Sequence, residues 1–153
     1  MNIYLVQHGE ALSKEENIKR PLSEKGKDVV EKLANACAAY RVSPKQIYHS
    51  TKLRAKQTAE ILGHQLGISL SEKAGLEPLD PVRPVYDEIN SMESDVMIAG
   101  HLPFLERLVS LMLTGSEKNR PVLFQQGGLV CLTKDEENMW SIVWTVFPAQ
   151  PWI

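Results

Sequence analysis

Only two of the 153 residues are cysteine, Cys37 and Cys131. That is too few for a disulfide framework, and neither belongs to a Cys/His cluster with metal-ligand spacing. No metal and no other cofactor is expected. An excess of basic charge is also missing: 17 Lys and Arg against 19 Asp and Glu leave a net charge of -2, so nothing marks a nucleic-acid surface. No apolar run reaches the roughly 20 residues that cross a bilayer, and no secretory leader is recognisable. A cytoplasmic protein without membrane contact is expected. Pro/Gly/Ser-rich linkers, repeats and low-complexity segments are absent too, so residues 1–153 are expected to form a single domain. With 43% hydrophobic residues, a chain of this length can bury a real core.

What is present is a set of reactive side chains at the ends of apolar segments. The run Ile3 to Val6 is short and β-rich, and His8-Gly9 follows it. A second run, Asp95-Val-Met-Ile-Ala-Gly-His101, carries the same punctuation. In α/β sheets ligands bind beyond the carboxyl ends of strands, which is where both imidazoles would lie. After His101, the spacing of Phe104, Leu105, Leu108, Val109 and Met112 predicts an amphipathic helix with proline in its first turn and Gly115 past its end. His101 then stands at a helix N-terminus, where unpaired amides favour an anion.

In His49-Ser-Thr-Lys-Leu-Arg-Ala-Lys-Gln-Thr58, Ser50 reads as a helix N-cap, and Ala55, Ala59, Leu62 and Leu66 continue at helical spacing. Arg54 falls in the first turn, where a cation opposes the helix dipole by ~0.3 to 1 kcal/mol. Gripping phosphate with a bidentate fork would explain that placement. His49 and His64 read as structural or exposed. Cys37 lies on one helical face with Val29, Val30, Leu33 and Tyr40, and Cys131 lies in a late strand; both read as core. In the final strand, Trp140, Ile142, Trp144 and Val146 would share one packed face.

Strands are expected near 2–7, 46–49, 95–99, 128–133 and 140–147, with helices near 24–40, 52–66, 81–92 and 103–113. This alternation indicates an α/β three-layer sandwich with helices on both faces of a mostly parallel sheet. The last two strands flank Asp135-Glu-Glu-Asn138 and form an antiparallel hairpin, so the sheet is mixed at one edge.

Four segments in this order, His8-Gly9-Glu10-Ala11, Arg20-Pro21-Leu22-Ser23-x-x-Gly26, Ser50-x-x-x-Arg54-Ala55-x-Gln57-Thr58 and Gly100-His101-Leu102-Pro103, resemble the histidine phosphatase superfamily, also called phosphoglycerate mutase-like, and within it the SixA-type phosphohistidine phosphatases. The resemblance implies that His8 is the nucleophile that becomes phosphorylated, that Arg54 holds phosphate oxygens, and that His101 is the second pocket histidine. It also implies a phosphorylated signalling or phosphotransfer protein as substrate. The family's mutases fit poorly, because the insertions that would hold a sugar phosphate are missing.

Gln7 departs from the pattern, since the family places arginine directly before the nucleophile. Glutamine still donates hydrogen bonds, but a charged donor to phosphate is worth about twice a neutral one. Arg20 compensates if its loop, part of the mixed-charge stretch Lys14 to Arg20, folds over the pocket. No local motif fixes a proton donor: Glu77 is the better candidate, Glu10 a further one, and Asp80 before Pro81 reads instead as a helix N-cap. An imidazole leaving group, with a pKa of ≈ 6.5, needs little acid help, which suits phosphohistidine. Two alternatives stay open: a degenerate phosphate-binding module with little turnover, and a hydrolase of small phosphorylated molecules.

Overall fold

The computed structural model describes residues 1–148; the last five positions of the expected 1–153 extent lie outside the described residues. Six strands, β1 (Asn2–Gln7), β2 (Gln46–His49), β3 (Leu70–Glu72), β4 (Val96–Gly100), β5 (Leu129–Lys134) and β6 (Trp140–Val146), form one sheet in the order β3-β2-β4-β1-β5-β6. β1, β2, β3 and β4 pair in parallel, whereas β5 and β6 are antiparallel additions on the β1 side. Four helices, α1 (Glu24–Ala39), α2 (Leu53–Leu66), α3 (Arg83–Ser91) and α4 (Phe104–Thr114), cover the faces. The architecture is the expected α/β sandwich with a mixed sheet.

Strands covered on both sides read as continuous apolar runs, and each central strand here feeds two cores by alternation. On one face Ile3, Leu5, Ile98 and Leu132 pack with Ile89 of α3 and Phe104, Leu105 and Leu108 of α4. On the other, Tyr4, Val6, Met97 and Cys131 meet Val30, Leu33 and Cys37 of α1 and Ala59 and Leu62 of α2. Burial drives both thiols away from reactivity, Cys37 up to about 12 and Cys131 up to about 11. No helix among the described residues is long and apolar enough to cross a membrane.

Five local expectations are corrected. β3 was not expected: Leu-Ser-Glu is too short and polar to announce a strand, and it forms because Ile47, Tyr48 and His49 of β2 offer it a parallel ladder. α3 starts at Arg83 rather than 81, with Val82 at the N-cap and a proline, Pro84, in its opening turn. Asp80 does not cap it; its carboxylate accepts the Glu77 N–H at 2.9 Å while its own N–H donates to the Glu77 carbonyl at 3.1 Å, closing a turn. Ser50 is not the N-cap of α2 either, since Lys52 occupies that position without a side-chain bond. Likewise Pro103 is the N-cap residue of α4 rather than a member of its first turn.

The face predicted for β6 is broken by a bulge. Cys131 pairs with Trp144 but Leu132 pairs with Ile142, so Val143 is an extra residue that reverses the alternation. Trp140 therefore joins the α3/α4 core, Trp144 and Val146 join the α1/α2 core, and Ile142 is left largely exposed. Tyr40 is likewise exposed, its ring resting against that of Trp144 at 5.8 Å.

The segment after β1 is pressed onto the start of α1 by two glycines. A Cβ at Gly26 would stand 2.1 Å from the Glu10 carbonyl oxygen, and one at Gly9 would stand 2.8 Å from a Val30 methyl. Ser23 caps α1 through the Gly26 N–H at 3.0 Å and donates its own N–H to the Glu10 carbonyl at 3.0 Å. Gly26→Ala must push Glu10 aside, and with it the residues flanking His8. Urea unfolding should show a loss of about 1 to 3 kcal/mol, the usual cost of overpacking; an unchanged midpoint would mean that this contact is looser than drawn.

Candidate active site

The sheet order brings the reactive residues together. Gln7 is the register partner of Gly100, and Ala99 is the partner of His49. The next residues, His8, His101 and Ser50, therefore emerge from three adjacent strand ends. The His8 N–H donates to the Gly100 carbonyl at 3.0 Å, and the two imidazole centroids lie 5.1 Å apart.

His8 is buried, and its Nδ1 lies 2.7 Å from the Gly9 carbonyl oxygen. A carbonyl only accepts, so Nδ1 carries the proton and the Nε2 lone pair is free. Burial pushes the His8 pKa down to about 4; the Gly9 carbonyl opposes this, and Arg54 and Arg20 add to it. The ring is therefore a neutral nucleophile at pH 7. His101 is only 1% exposed and its Nε2 lies 2.6 Å from Ser50 Oγ. Burial, then His8 and Arg54, take its pKa down to about 3.

Arg54 stands in the first turn of α2, as expected. Burial and then Arg20 pull its pKa down while Glu77 opposes them. Arg20 does fold back: the Ala11–Leu22 bridge and the Leu12 N–H to Pro21 carbonyl bond at 2.9 Å close the loop behind it. Arg20 adopts a φ of 48° and donates from Nε to the Leu12 carbonyl at 3.0 Å. A left-handed arginine is uncommon and tends to persist where its surroundings hold it. It lines a cleft of about 810 Å³ together with Arg54, Lys52, Glu77, Ile18 and Leu79.

Glu77 accepts from the Thr51 N–H at 2.9 Å and from the Thr51 hydroxyl through the same oxygen. Its other oxygen stays unbound. Glu10 is directed elsewhere, taking the Ser23 hydroxyl at 3.1 Å and Lys25 at 3.8 Å. His49 is buried with Nδ1 on the Ser50 carbonyl at 2.8 Å, and His64 is exposed. Among the described residues, no group of three or more His, Cys, Asp or Glu side chains is placed to hold a metal ion.

The buried polar atoms without partners are the sharpest feature. Among the described residues there are four: Gln7 Oε1, Arg54 Nε, Glu77 Oε2 and His101 Nδ1. Folded proteins leave few such atoms, and each calls for a reason. All four belong to residues singled out from the sequence. The Gln7 amide can be turned over to present its NH₂ instead of its oxygen.

Sequence reasoning missed the residues behind these. Thr58 accepts the Gly9 N–H at 3.1 Å and donates to the Arg54 carbonyl at 2.8 Å, tying α2 to the nucleophile's loop. Gln57 accepts the Leu22 N–H at 2.7 Å. The spacing of Arg54 and Thr58, four apart on a helix, was the available signal. Ser50, though part of a motif, and Thr51 gave no local sign of their partners, which come from a distant strand end and a distant loop.

The two neutral histidines set a pH dependence. In the unfolded chain each takes up a proton near the ordinary value of 6.5, but in the folded protein only near 4 and 3. Between these limits the unfolded state binds more protons, so stability is lost as pH falls below about 6.5. From pH 7 to pH 5 the loss should be about 2 kcal/mol for each histidine. Urea unfolding at the two pH values should show it, and a His8→Asn/His101→Asn double variant should lose markedly less. Equal pH sensitivity in parent and variant would place the effect on other groups.

Comparison with known proteins accords with this geometry. The model of the histidine phosphatase superfamily (branch 1) matches residues 3–83, just over half of the chain. The phosphohistidine phosphatase SixA of Escherichia coli (strain K12) is 26% identical over 156 residues, covering 97% of this chain and 95% of that protein. A structure of the protein histidine phosphatase SixA complexed with tungstate superposes with a TM-score of 0.86 at 26% identity, covering 97% of each chain. A mycobacterial glucosyl-3-phosphoglycerate phosphatase complexed with VO₃ shares the fold, with a TM-score of 0.74 at 17% identity over 94% of this chain and 98% of that one. The chain belongs to the histidine phosphatase superfamily, and is a phosphatase of the SixA type.

Proposed function

We propose that this chain removes phosphate from phosphohistidine in a partner protein, through a phosphoenzyme intermediate on His8. The observation that carries this reading is that Gln7, Arg54, Glu77 and His101 each keep a buried polar atom without a partner, beside a histidine whose Nε2 lone pair is free. In the first step Nε2 attacks phosphorus in line. The bond from phosphorus to the substrate imidazole breaks, its electron pair stays on the leaving nitrogen, and Glu77 supplies a proton there. Arg54, Arg20, His101 and the Gln7 amide donate to the equatorial oxygens, since phosphoryl transfer relies mainly on positioning and electrostatics. In the second step water attacks phospho-His8, its proton passes to Glu77, the P–N bond breaks and Nε2 recovers its lone pair.

The kind of substrate is argued from the leaving group and the cleft. An imidazole departs with little acid assistance, and Glu77, on the cleft wall, keeps a buried oxygen without a partner. The cleft is wide, and two of the most exposed large apolar side chains, Ile18 at 84% and Leu79 at 82%, stand on its wall. A protein surface can cover them and a small ester cannot. Two buried, unpaired cysteines suit a reducing compartment, so we place the activity in the cytoplasm and assign it to one domain spanning the chain.

His8→Ala should abolish hydrolysis of a phosphohistidine protein while leaving the fold intact. Parent protein quenched under mild alkali should carry phosphate on His8; normal turnover by His8→Ala would sink the mechanism. A parallel assay on a phosphoserine protein should be slow, and a preference for it would overturn phosphohistidine as the substrate.

Gln7→Arg adds a charge-assisted donor beside the nucleophile. The gain should be on the order of 1 kcal/mol, hence about tenfold in phosphate affinity or kcat/KM, unless Arg20 already fills the role. Arg20→Ala distinguishes the cases: severe impairment there with no effect of Gln7→Arg means that the loop arginine has replaced the strand arginine.

A further inference from the structure

Ser50 has no part in the chemistry above, yet it is fully buried between two polar groups of the site. Its Oγ lies 3.2 Å from the Lys52 N–H and 2.6 Å from His101 Nε2. A backbone amide only donates, so Ser50 Oγ is the acceptor on the Lys52 side. Its hydroxyl hydrogen is then available for Nε2, and using it makes Nε2 the bare nitrogen of the ring. A neutral imidazole with a bare Nε2 carries its proton on Nδ1. Nδ1 is the ring nitrogen that is buried without a partner in the chain.

We propose that Ser50 is a positioning residue that holds His101 in its Nδ1–H tautomer, so that the ring offers a neutral donor to a phosphoryl oxygen. This rests on the reading of His8 and His101 as one phosphoryl pocket. The opposite tautomer would have Nε2–H donating to Ser50, already a recipient of the Lys52 amide, and would leave the Ser50 hydrogen unused. It would also turn a bare Nδ1, an acceptor, toward oxygens that can only accept. The choice matters because His101 is neutral. A protonated ring would donate from both nitrogens, but burial takes this histidine down to about 3, so at pH 7 one nitrogen alone carries hydrogen. The short chain Lys52 N–H to Ser50 to His101 also explains why Ser50 stands one residue before the turn into α2 and does not cap the helix.

The test reads the tautomer directly. In a two-bond proton–nitrogen correlation spectrum of protein labelled with ¹⁵N-histidine, with His101→Asn assigning the signals, His101 should be the Nδ1–H form at neutral pH. Ser50→Ala should shift it to the other tautomer or a mixture and weaken binding of inorganic phosphate about tenfold, the worth of one hydrogen bond. Ser50→Thr, which keeps the hydroxyl, should retain both properties. Finding the Nε2–H form in the unmutated protein would overturn the proposal, and so would a Ser50→Ala protein with unchanged tautomer and phosphate affinity. Should Ser50→Ala fail to fold, the spectrum of the unmutated protein still decides. A protein that shows the Nδ1–H form and yet hydrolyses no phosphohistidine would support the role of Ser50 and count against the proposed substrate.

Discussion

The parallel pairing of β1 with β4, and of β4 with β2, is the constraint on which the site depends. Because Gln7 faces Gly100 and His49 faces Ala99, the three chain ends stop level with one another. The side chains that follow have nowhere to go except one edge. The sheet can be held so tightly because both faces are covered: every residue of β4 and all but the first of β1 are buried. Shifting one strand by a single residue would send its apolar set to the wrong layer. The register is thus fixed by two cores at once, and catalysis inherits that precision without any residue dedicated to it.

The same burial supplies the chemistry and costs stability. Water is excluded from both imidazoles, so each is held neutral far below its ordinary pKa. Excluding water also strengthens whatever charge remains nearby. Arg54 illustrates the exchange: it stands against a helix dipole at a cost of ~0.3 to 1 kcal/mol and keeps a buried Nε without a partner. A core designed for stability alone would have neither feature. Their coincidence with two neutral histidines distinguishes a working pocket from a well-satisfied interior.

How far this was readable beforehand follows from the range of each interaction. The apolar runs ending in Gly9 and His101 announced both strands and their punctuation, and the spacing of Phe104, Leu105, Leu108, Val109 and Met112, all of them buried, announced α4. Motif order identified His8, Arg54 and His101 as a set. What stayed hidden was set by long-range partners. Asp80 reads locally as a cap, but the turn closed on Glu77 holds it instead. Nothing near Val143 signals the bulge that splits the face of β6, because the bulge is settled by the pairing with β5. Ser50 looks like an N-cap until β4 delivers His101 beside it.

In the proposed mechanism, Arg20 answers from a loop the local departure made by Gln7 on β1. An arginine on β1 would be oriented by the sheet itself. Arg20 is held by a loop instead: a two-residue bridge, one backbone bond to Pro21 and its own bond to Leu12. A loop position stores less packing energy than a strand position, and the backbone conformation at Arg20 is one that arginine adopts only when its neighbours compel it. From the same loop, Lys14, Ile18 and Lys19 stand exposed on the wall of the cleft. On the proposed mechanism, the second cation of the pocket is carried by the segment that a protein substrate would touch. That mechanism would build phosphate grip and contact with the rest of the substrate on one loop rather than on separate elements.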